Sequence, residues 1–270
     1  RDLIVTGVQT CALPIYMFWA GEYPSSVSSY LFTTLNSSSL LSIPFFILAA
    51  EILNQSGATR RLIDMIDAWI GHNRGGLPVV AVIAVAFFSA ICGSSAATAA
   101  AIGSVMIPEM VGRGYDRRFT VGLIASAGGL GILIPPSIPL IVYGMVTEIS
   151  ISRLFQAAML PGLVLATVLC LVAYVVGSRS GVKPSERRPL GEKLVATRQA
   201  AGVLAMPFII LGGIYSGIFT ATESAAIACV YALGLAVLAY GVRLRDVPAM
   251  LTTSAATAAM ILLIIACANL

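Results

Sequence analysis

The chain has 270 residues, of which 58% are hydrophobic and only 10% are charged. A soluble domain carries about 25% charged residues, so this composition excludes a soluble enzyme, a nucleic-acid-binding protein and a disordered protein. The net charge of +4 comes from 16 Lys and Arg against 12 Asp and Glu, and the basic residues stand in short clusters between apolar segments. This arrangement is typical of a polytopic membrane protein.

The two ends of the sequence are unusual. Residues 1–15 have neither the basic start nor the small-residue cleavage site of a signal peptide, and residues 5–15 resemble the translation of a common sequencing-library adapter. We therefore interpret residues 1–16 as an artefactual N-terminus and leave them out of the fold prediction. The last residues stop within an apolar run, and we expect the chain to be a fragment of a longer protein.

Several apolar segments are long enough to cross a membrane, which takes about 20 residues. The best candidates are residues 40–53 with their flanks, 154–176, 201–219, 225–240 and 250–270.

Residues 119–146 are also long enough to cross, but Pro135, Pro136 and Pro139 interrupt them. Proline lacks the backbone donor of a helix and restricts the residue before it. A continuous helix therefore cannot pass through this segment, and we predict a broken transmembrane helix.

Residues 77–111 form two apolar arms on either side of a Gly-Ser-Ser sequence at residues 93–95. Each arm is shorter than the roughly 20 residues of a full span. Arg74 precedes the first arm and Arg113 follows the second, so the positive-inside rule places both outer ends in the cytoplasm. We predict a re-entrant helical hairpin with its polar tip inside the protein. Two short full spans are the alternative.

The hairpin makes the topology self-consistent. If it counts as no net crossing, fourteen of the fifteen Lys and Arg beyond residue 1 fall on the cytoplasmic side. Six of them lie in a predicted loop over residues 179–198, and only Arg153 falls on the outer side.

A short segment between the first span and the hairpin has two different faces. Within residues 60–72, apolar residues including Trp69 share one face, and Asp64 and Asp67 lie on the other. This pattern predicts an amphipathic helix at the membrane surface. It is either a linker or a lateral arm that braces a moving domain.

The two breaks, at residues 93–95 and 131–139, carry the functional prediction. Lipid offers no hydrogen-bond partners to freed backbone groups, so broken segments persist where they line a cavity or hold an ion. Helix N-termini favour anions, whereas unwound carbonyls and hydroxyls favour a hard cation such as sodium. We therefore expect a site for an anionic substrate coupled to sodium. Close packing of small residues is the alternative at residues 93–95, and a plain helix kink is the alternative at Pro135 and Pro136.

These residues resemble a known family. The segment at residues 93–163, which begins GSSAATAAAIGSVMIPEM and contains GGLGILIPPSIPL, resembles the core of the large membrane subunit of tripartite ATP-independent periplasmic (TRAP) transporters, the DctM-like permeases. The resemblance covers residues 17–270. It includes IPFFILAAE at residues 43–51, TRRLID at 59–64 and GIFTATE at 217–223.

The resemblance implies an all-α polytopic membrane protein of the bacterial inner membrane, with an inverted-repeat, elevator-type architecture. Its function would be sodium-driven import of organic acids such as C4-dicarboxylates. The implied partners are a DctP-like periplasmic binding protein, a DctQ-like small membrane subunit, the lipid bilayer and the organic acid, with no nucleic acid. The protein would not be an enzyme, and sodium would be a coupling ion rather than a cofactor.

The resemblance also assigns roles by position at the two breaks. The sodium site would use groups of Cys92, Ser94, Gly131, Ile134 and Pro136. The substrate carboxylate would lie beside Ser95, Thr98 and Ser137. Many family members have an acidic residue where this chain has Thr98, which bears on the organic acid that is accepted.

We divide the chain into a scaffold with the arm helix (residues 17–76), a transport core (77–147), a span with a basic cytoplasmic loop (148–200) and the truncated start of a second repeat (201–270). Because the family's second half completes the binding site, we expect that this chain cannot transport alone.

Two other functions stay open at this point. Another sodium-coupled carboxylate or ion transporter with paired hairpins would share both breaks. A membrane-embedded enzyme is a more distant alternative, because the sequence has no Ser/His/Asp set, HExxH motif or acidic metal cluster.

Overall fold

A computed structural model describes residues 29, 32–33, 35–185 and 187–268, without the side chains of residues 244 and 268. From residue 42 onward these residues form α-helices, a π-helical turn and a short 3-10 turn, with no strand. The helices are α1 (Ser42–Gln55), α2 (Ala58–Ile70), α3 (Gly76–Cys92), α4 (Ser95–Gly112), α5 (Arg117–Gly128), α6 (Leu130–Leu133), α7 (Ile138–Val146), α8 (Ile151–Arg179), α9 (Leu190–Tyr215), α10 (Ala221–Gly234) and α11 (Val247–Ala268). The predicted artefact at residues 1–16 lies outside the described residues.

Six helical segments within this described part are long and apolar enough to cross a membrane. They are Ser95–Gly112, Arg117–Val146, Ile151–Arg179, Leu190–Tyr215, Ala221–Ala239 and Val247–Cys267. Their outward sides expose large apolar side chains, such as Leu160 on α8, Phe208 on α9 and Val230 on α10. An apolar surface of this extent is favourable in lipid and unfavourable in water. The predicted all-α polytopic membrane fold is confirmed.

Both predicted breaks are present. The arms α3 and α4 are separated by Gly93 and Ser94, and Gly93 has a left-handed backbone with φ of +64°. Glycine adopts this conformation without the steric penalty of a side chain. The helix over residues 117–146 is interrupted between Leu133 and Ile138, where the prolines remove backbone donors.

The two arms of the hairpin end on the same side of the molecule. Gly75, before α3, packs on the end of α8, since a Cβ added there would lie 2.7 Å from the Ser178 backbone nitrogen. Arg113, after α4, donates a hydrogen bond to the hydroxyl of Ser185, shortly beyond α8. Both outer ends therefore lie beside the end of α8 that the charge pattern assigns to the cytoplasm.

Helix lengths place the hairpin tip below the outer end of the molecule. At 1.5 Å per residue, α3 is about 26 Å long. The tip contacts the break in the neighbouring helix, and α7 continues past this break for about 14 Å. The re-entrant hairpin stays a prediction, because α4 alone is long and apolar enough to cross a membrane, whereas the sequence analysis treats both arms as short.

The buried apolar residues form two clusters. One surrounds α3 and includes Val85, Phe88 and Ile102 of the hairpin, together with Leu62 and Ile66 of α2. The other surrounds α1 and takes residues from α7, α9 and α10 as well. The arm helix α2 therefore packs with the hairpin, and α7 packs with the predicted scaffold, so the buried core crosses the predicted boundary between residues 76 and 77.

Two details on the cytoplasmic side differ from the sequence prediction. The predicted loop over residues 179–198 becomes helical at Leu190, where α9 begins. On α2, Asp67 is buried although the sequence places it on the polar face, whereas Trp69 on the apolar face is 44% exposed. The reason is that α2 packs against both α3 and α9, and Arg188 supplies a partner for Asp67 on the buried side.

Candidate functional site

The hairpin tip is docked on the break of the neighbouring helix, backbone against backbone. The Ile138 amide donates to the Gly93 carbonyl at 3.0 Å. A Cβ added to Gly93 would lie 2.6 Å from the Pro136 carbonyl oxygen, and one added to Gly131 would lie 2.9 Å from the Ser95 nitrogen. Side chains essentially never approach backbone atoms so closely. Glycine at both positions is therefore required for the two breaks to meet.

A third glycine, which the sequence analysis did not single out, extends this contact. A Cβ added to Gly128 would lie 2.9 Å from the Ala99 Cβ and 3.3 Å from the Ser95 carbonyl oxygen. Residues three apart share a helical face, so the spacing between Gly128 and Gly131 was the available signal. The two glycines form a flat surface on which the start of α4 rests.

The five residues assigned to sodium lie in the two segments that meet here. Cys92 ends α3 and is buried, and Ser94 follows the tip glycine in an extended conformation. Gly131 lies in α6, Ile134 follows it with an extended backbone, and Pro136 lies in the bend before α7. The groups that these five residues offer suit a hard cation, because hydroxyl and carbonyl oxygens are its preferred ligands. The soft Cys92 thiol does not suit sodium, so Cys92 would contribute its carbonyl.

The three residues assigned to the substrate carry unsatisfied hydroxyls. Within the described part of the chain, the side-chain oxygens of Ser95, Thr98 and Ser137 are buried and have no hydrogen-bond partner of ordinary geometry. The Thr98 hydroxyl lies close enough to the Cys92 thiol to interact with it. A buried hydroxyl without a partner costs about 1–3 kcal/mol, and such groups call for an explanation. A polar ligand at the break would supply one.

The electrostatics of the break favour an anion. Both α4 and α7 begin there, and neither helix has an acidic residue in its first turn. The preceding residues, Ser94 and Ser137, do not cap these helices with their side chains. Two helix N-termini without side-chain caps therefore converge on the same small region, and their partial positive charge favours an anion. The first amide of α7 is already paired, since Ile138 donates to the Gly93 carbonyl.

Two further polar residues near the tip lie outside the sites assigned from the sequence. Ser89 on α3 is fully buried, and its hydroxyl has no partner among the residues described. Glu51 on α1 lines a cavity of about 100 Å³ together with Cys92 and Ser94. The available signal was the position of Glu51 as the only charged residue in the apolar segment 40–53.

A comparison with known protein families identifies the family of this chain. A sequence model described as "Tripartite ATP-independent periplasmic transporter, DctM component" matches residues 4–270. The chain belongs to this family. Together with the apolar helices, membership makes the chain a multi-pass protein of the bacterial inner membrane. The match begins within the segment interpreted as an adapter.

Individual relatives agree with this assignment. The C4-dicarboxylate TRAP transporter large permease protein DctM of Pseudomonas aeruginosa is 44% identical over 260 residues, which are 96% of this chain and 61% of that protein. The protein of the same name from Rhodobacter capsulatus is 40% identical over 93% of this chain and 60% of its own length. The isethionate TRAP transporter permease protein DctMQ of Oleidesulfovibrio alaskensis is 41% identical over 79% of this chain and 34% of its own length.

The chain therefore spans about three-fifths of the length of the DctM relatives it matches. All three relatives are named as transporter permeases. Their names support the prediction that the protein is not an enzyme.

Proposed function

We propose that the chain forms part of the large subunit of a sodium-driven transporter that imports organic acids by an elevator mechanism. The observation that carries the proposal is the contact between Gly93 and the break at Pro136, which joins two interrupted helices around unsatisfied polar groups. Interrupted helices at membrane depth are the usual binding elements of secondary transporters.

The two ligands would use different parts of the break. Sodium would be held by oxygens of Ser94 and by carbonyls at Gly131, Ile134 and Pro136, with the carbonyl of Cys92. The substrate carboxylate would lie at the N-termini of α4 and α7 and accept hydrogen bonds from Ser95, Thr98 and Ser137. Sodium on the carbonyl side would stabilise the anion on the amide side, since opposite charges attract strongly where water is excluded.

The substrate class follows from the donor set. Hydroxyls and helix N-termini bind carboxylates and sulfonates alike, and the relatives include a C4-dicarboxylate permease and an isethionate permease. Thr98 is neutral, so its hydroxyl can donate to an acidic substrate without repelling it. We propose a small organic acid, delivered by a periplasmic binding protein, with a small membrane subunit beside the large one.

Hydrogen exchange would test this proposal on the chain in detergent micelles. Sodium chloride, compared with choline chloride at equal ionic strength, should slow amide exchange at residues 94–98 and 131–138. Succinate should slow it further only when sodium is present. A Ser137→Ala variant should lose the succinate effect and keep the sodium effect. Identical exchange in sodium and choline would contradict the proposal.

A further inference from the structure

A cavity lined by both apolar and polar residues lies between the hairpin tip, α1 and α11. It has a volume of about 100 Å³, and its polar lining residues are Glu51, Asn54, Cys92, Ser94, Ser254 and Thr257. Because a water molecule occupies about 30 Å³, the cavity has room for a small ion with about two waters. Its lining joins α1 of the predicted scaffold and α11 of the predicted second repeat to the hairpin tip.

Glu51 brings an uncompensated negative charge to this cavity. Its carboxylate accepts a hydrogen bond from Gln55, and none of the ion pairs among the described residues involves it. It is close enough to Cys92 at the hairpin tip to interact with it electrostatically. An ionisable residue within an apolar membrane helix is costly, and such residues usually face a functional site with a partner.

Ser254 on α11 provides a second, independent indication of a ligand. Its side chain is only 4% exposed, it lines the same cavity, and its hydroxyl oxygen has no hydrogen-bond partner in the described part of the chain. Buried hydroxyls are normally hydrogen-bonded. Ser254 lies on α11 and Glu51 lies on α1, so two separate helices bring polar groups to the cavity.

We propose that this cavity is a separate binding site for a monovalent hard cation such as sodium. Glu51 would balance the charge, and Asn54, Ser254 and Thr257 would supply neutral oxygen ligands. One carboxylate matches one positive charge, whereas a divalent ion usually binds to more acidic groups. The ion would connect α1 and α11 to the hairpin tip. This site goes beyond the proposed function and does not depend on it.

Equilibrium binding of radioactive sodium to the purified chain in detergent would test the site. Glu51→Gln should lower the number of sodium ions bound at saturation by about one per chain, and Ser254→Ala should weaken the same binding. Glu192→Gln, which changes an exposed acidic residue at the start of α9, is the matched control and should bind like the unmodified chain. An excess of choline should not displace the ion.

Hydrogen exchange at the break separates this site from the one in the proposed function. In Glu51→Gln, sodium should still slow amide exchange at residues 131–136, which do not line the cavity. Equal sodium binding by Glu51→Gln and the unmodified chain would overturn the cavity proposal, whatever the exchange at the break. A loss of one bound ion in Glu51→Gln, with no sodium effect on exchange at residues 131–136 of the unmodified chain, would support the cavity site and contradict the sodium ligands of the proposed function.

Discussion

Asp67 and Arg188, which are far apart in the sequence, form an ion pair on the cytoplasmic side, with the Arg188 Nη2 3.1 Å from the Asp67 Oδ2. Ser185 also donates to the Asp67 Oδ1 at 3.4 Å. The Ser185 hydroxyl in turn accepts a hydrogen bond from Arg113 at the end of the hairpin. The segment after α8 therefore ties the arm helix α2 to the hairpin.

Breaking this ion pair should destabilise the protein. The Asp67 side chain is 6% exposed, whereas that of Arg188 is 39% exposed. The loss for Arg188→Gln should therefore fall below that of a fully buried pair, at about 1–2 kcal/mol of unfolding free energy. Denaturant unfolding in micelles would measure it. Arg187→Gln, at an exposed neighbouring position, should have little effect, and equal stability of the two variants would count against a structural ion pair.

The stability of the folded protein should depend on pH through Asp64. Burial raises the pKa of this carboxyl, and the opposing effects of Arg60 and Arg188 do not cancel it. The folded state therefore holds the proton more tightly than the unfolded chain does. The resulting stabilisation is full below the unfolded pKa of about 3.9 and is lost as the pH rises through the folded pKa.

The Asp64→Asn variant removes this titration. Its stability relative to the unmodified chain should rise from acidic to neutral pH, because the unmodified chain loses the contribution of protonated Asp64 over that range. Thermal unfolding between about pH 4 and pH 7 would measure the difference. Glu192→Gln is the control. A stability difference that stays constant or falls with pH would show that Asp64 does not titrate as described.

Gly131→Ala should destabilise the contact between tip and break. The added Cβ would lie 2.9 Å from the backbone of Ser94 and Ser95, so one backbone segment must move, at a cost of about 1–3 kcal/mol. Gly122→Ala is the matched control in α5, since a Cβ there meets nothing within 4 Å. Alanine also favours a helix by up to about 1 kcal/mol, so that control should be neutral or stabilising. Unfolding curves that rank the two variants the other way would contradict the contact.

The N-terminus of α10 should depend on a capping box. The Glu223 amide donates to the Thr220 hydroxyl at 3.3 Å, and the Thr220 amide donates to the Glu223 carboxylate at 2.8 Å. Thr220→Ala should therefore cost about 1 kcal/mol of stability. Thr220→Ser keeps the hydroxyl and should retain most of this stability. The two variants would be compared by thermal unfolding, and equal losses would mean that the hydroxyl does not cap the helix.

Much of the fold follows from local features of the sequence. Apolar runs identify the spans, the Gly-Ser-Ser tip divides the hairpin, and prolines at residues 135, 136 and 139 break the next helix. These effects act within a few residues or through the distribution of charge relative to the membrane. The start of α9 at Leu190 was missed because the basic residues there suggested a loop, and helix propensity tolerates Lys and Arg well.

The site was less predictable, because it depends on which distant residues meet. Sequence alone established a membrane protein with two broken helical elements, since composition, proline and charge act locally. Only the tertiary structure decided that Gly93 and Gly131 bring the breaks into backbone contact, that Asp67 is buried against Arg188 and that Glu51 shares a cavity with Ser254. The physical reason is that packing between distant helices depends on the shape of the whole fold, which no local pattern encodes.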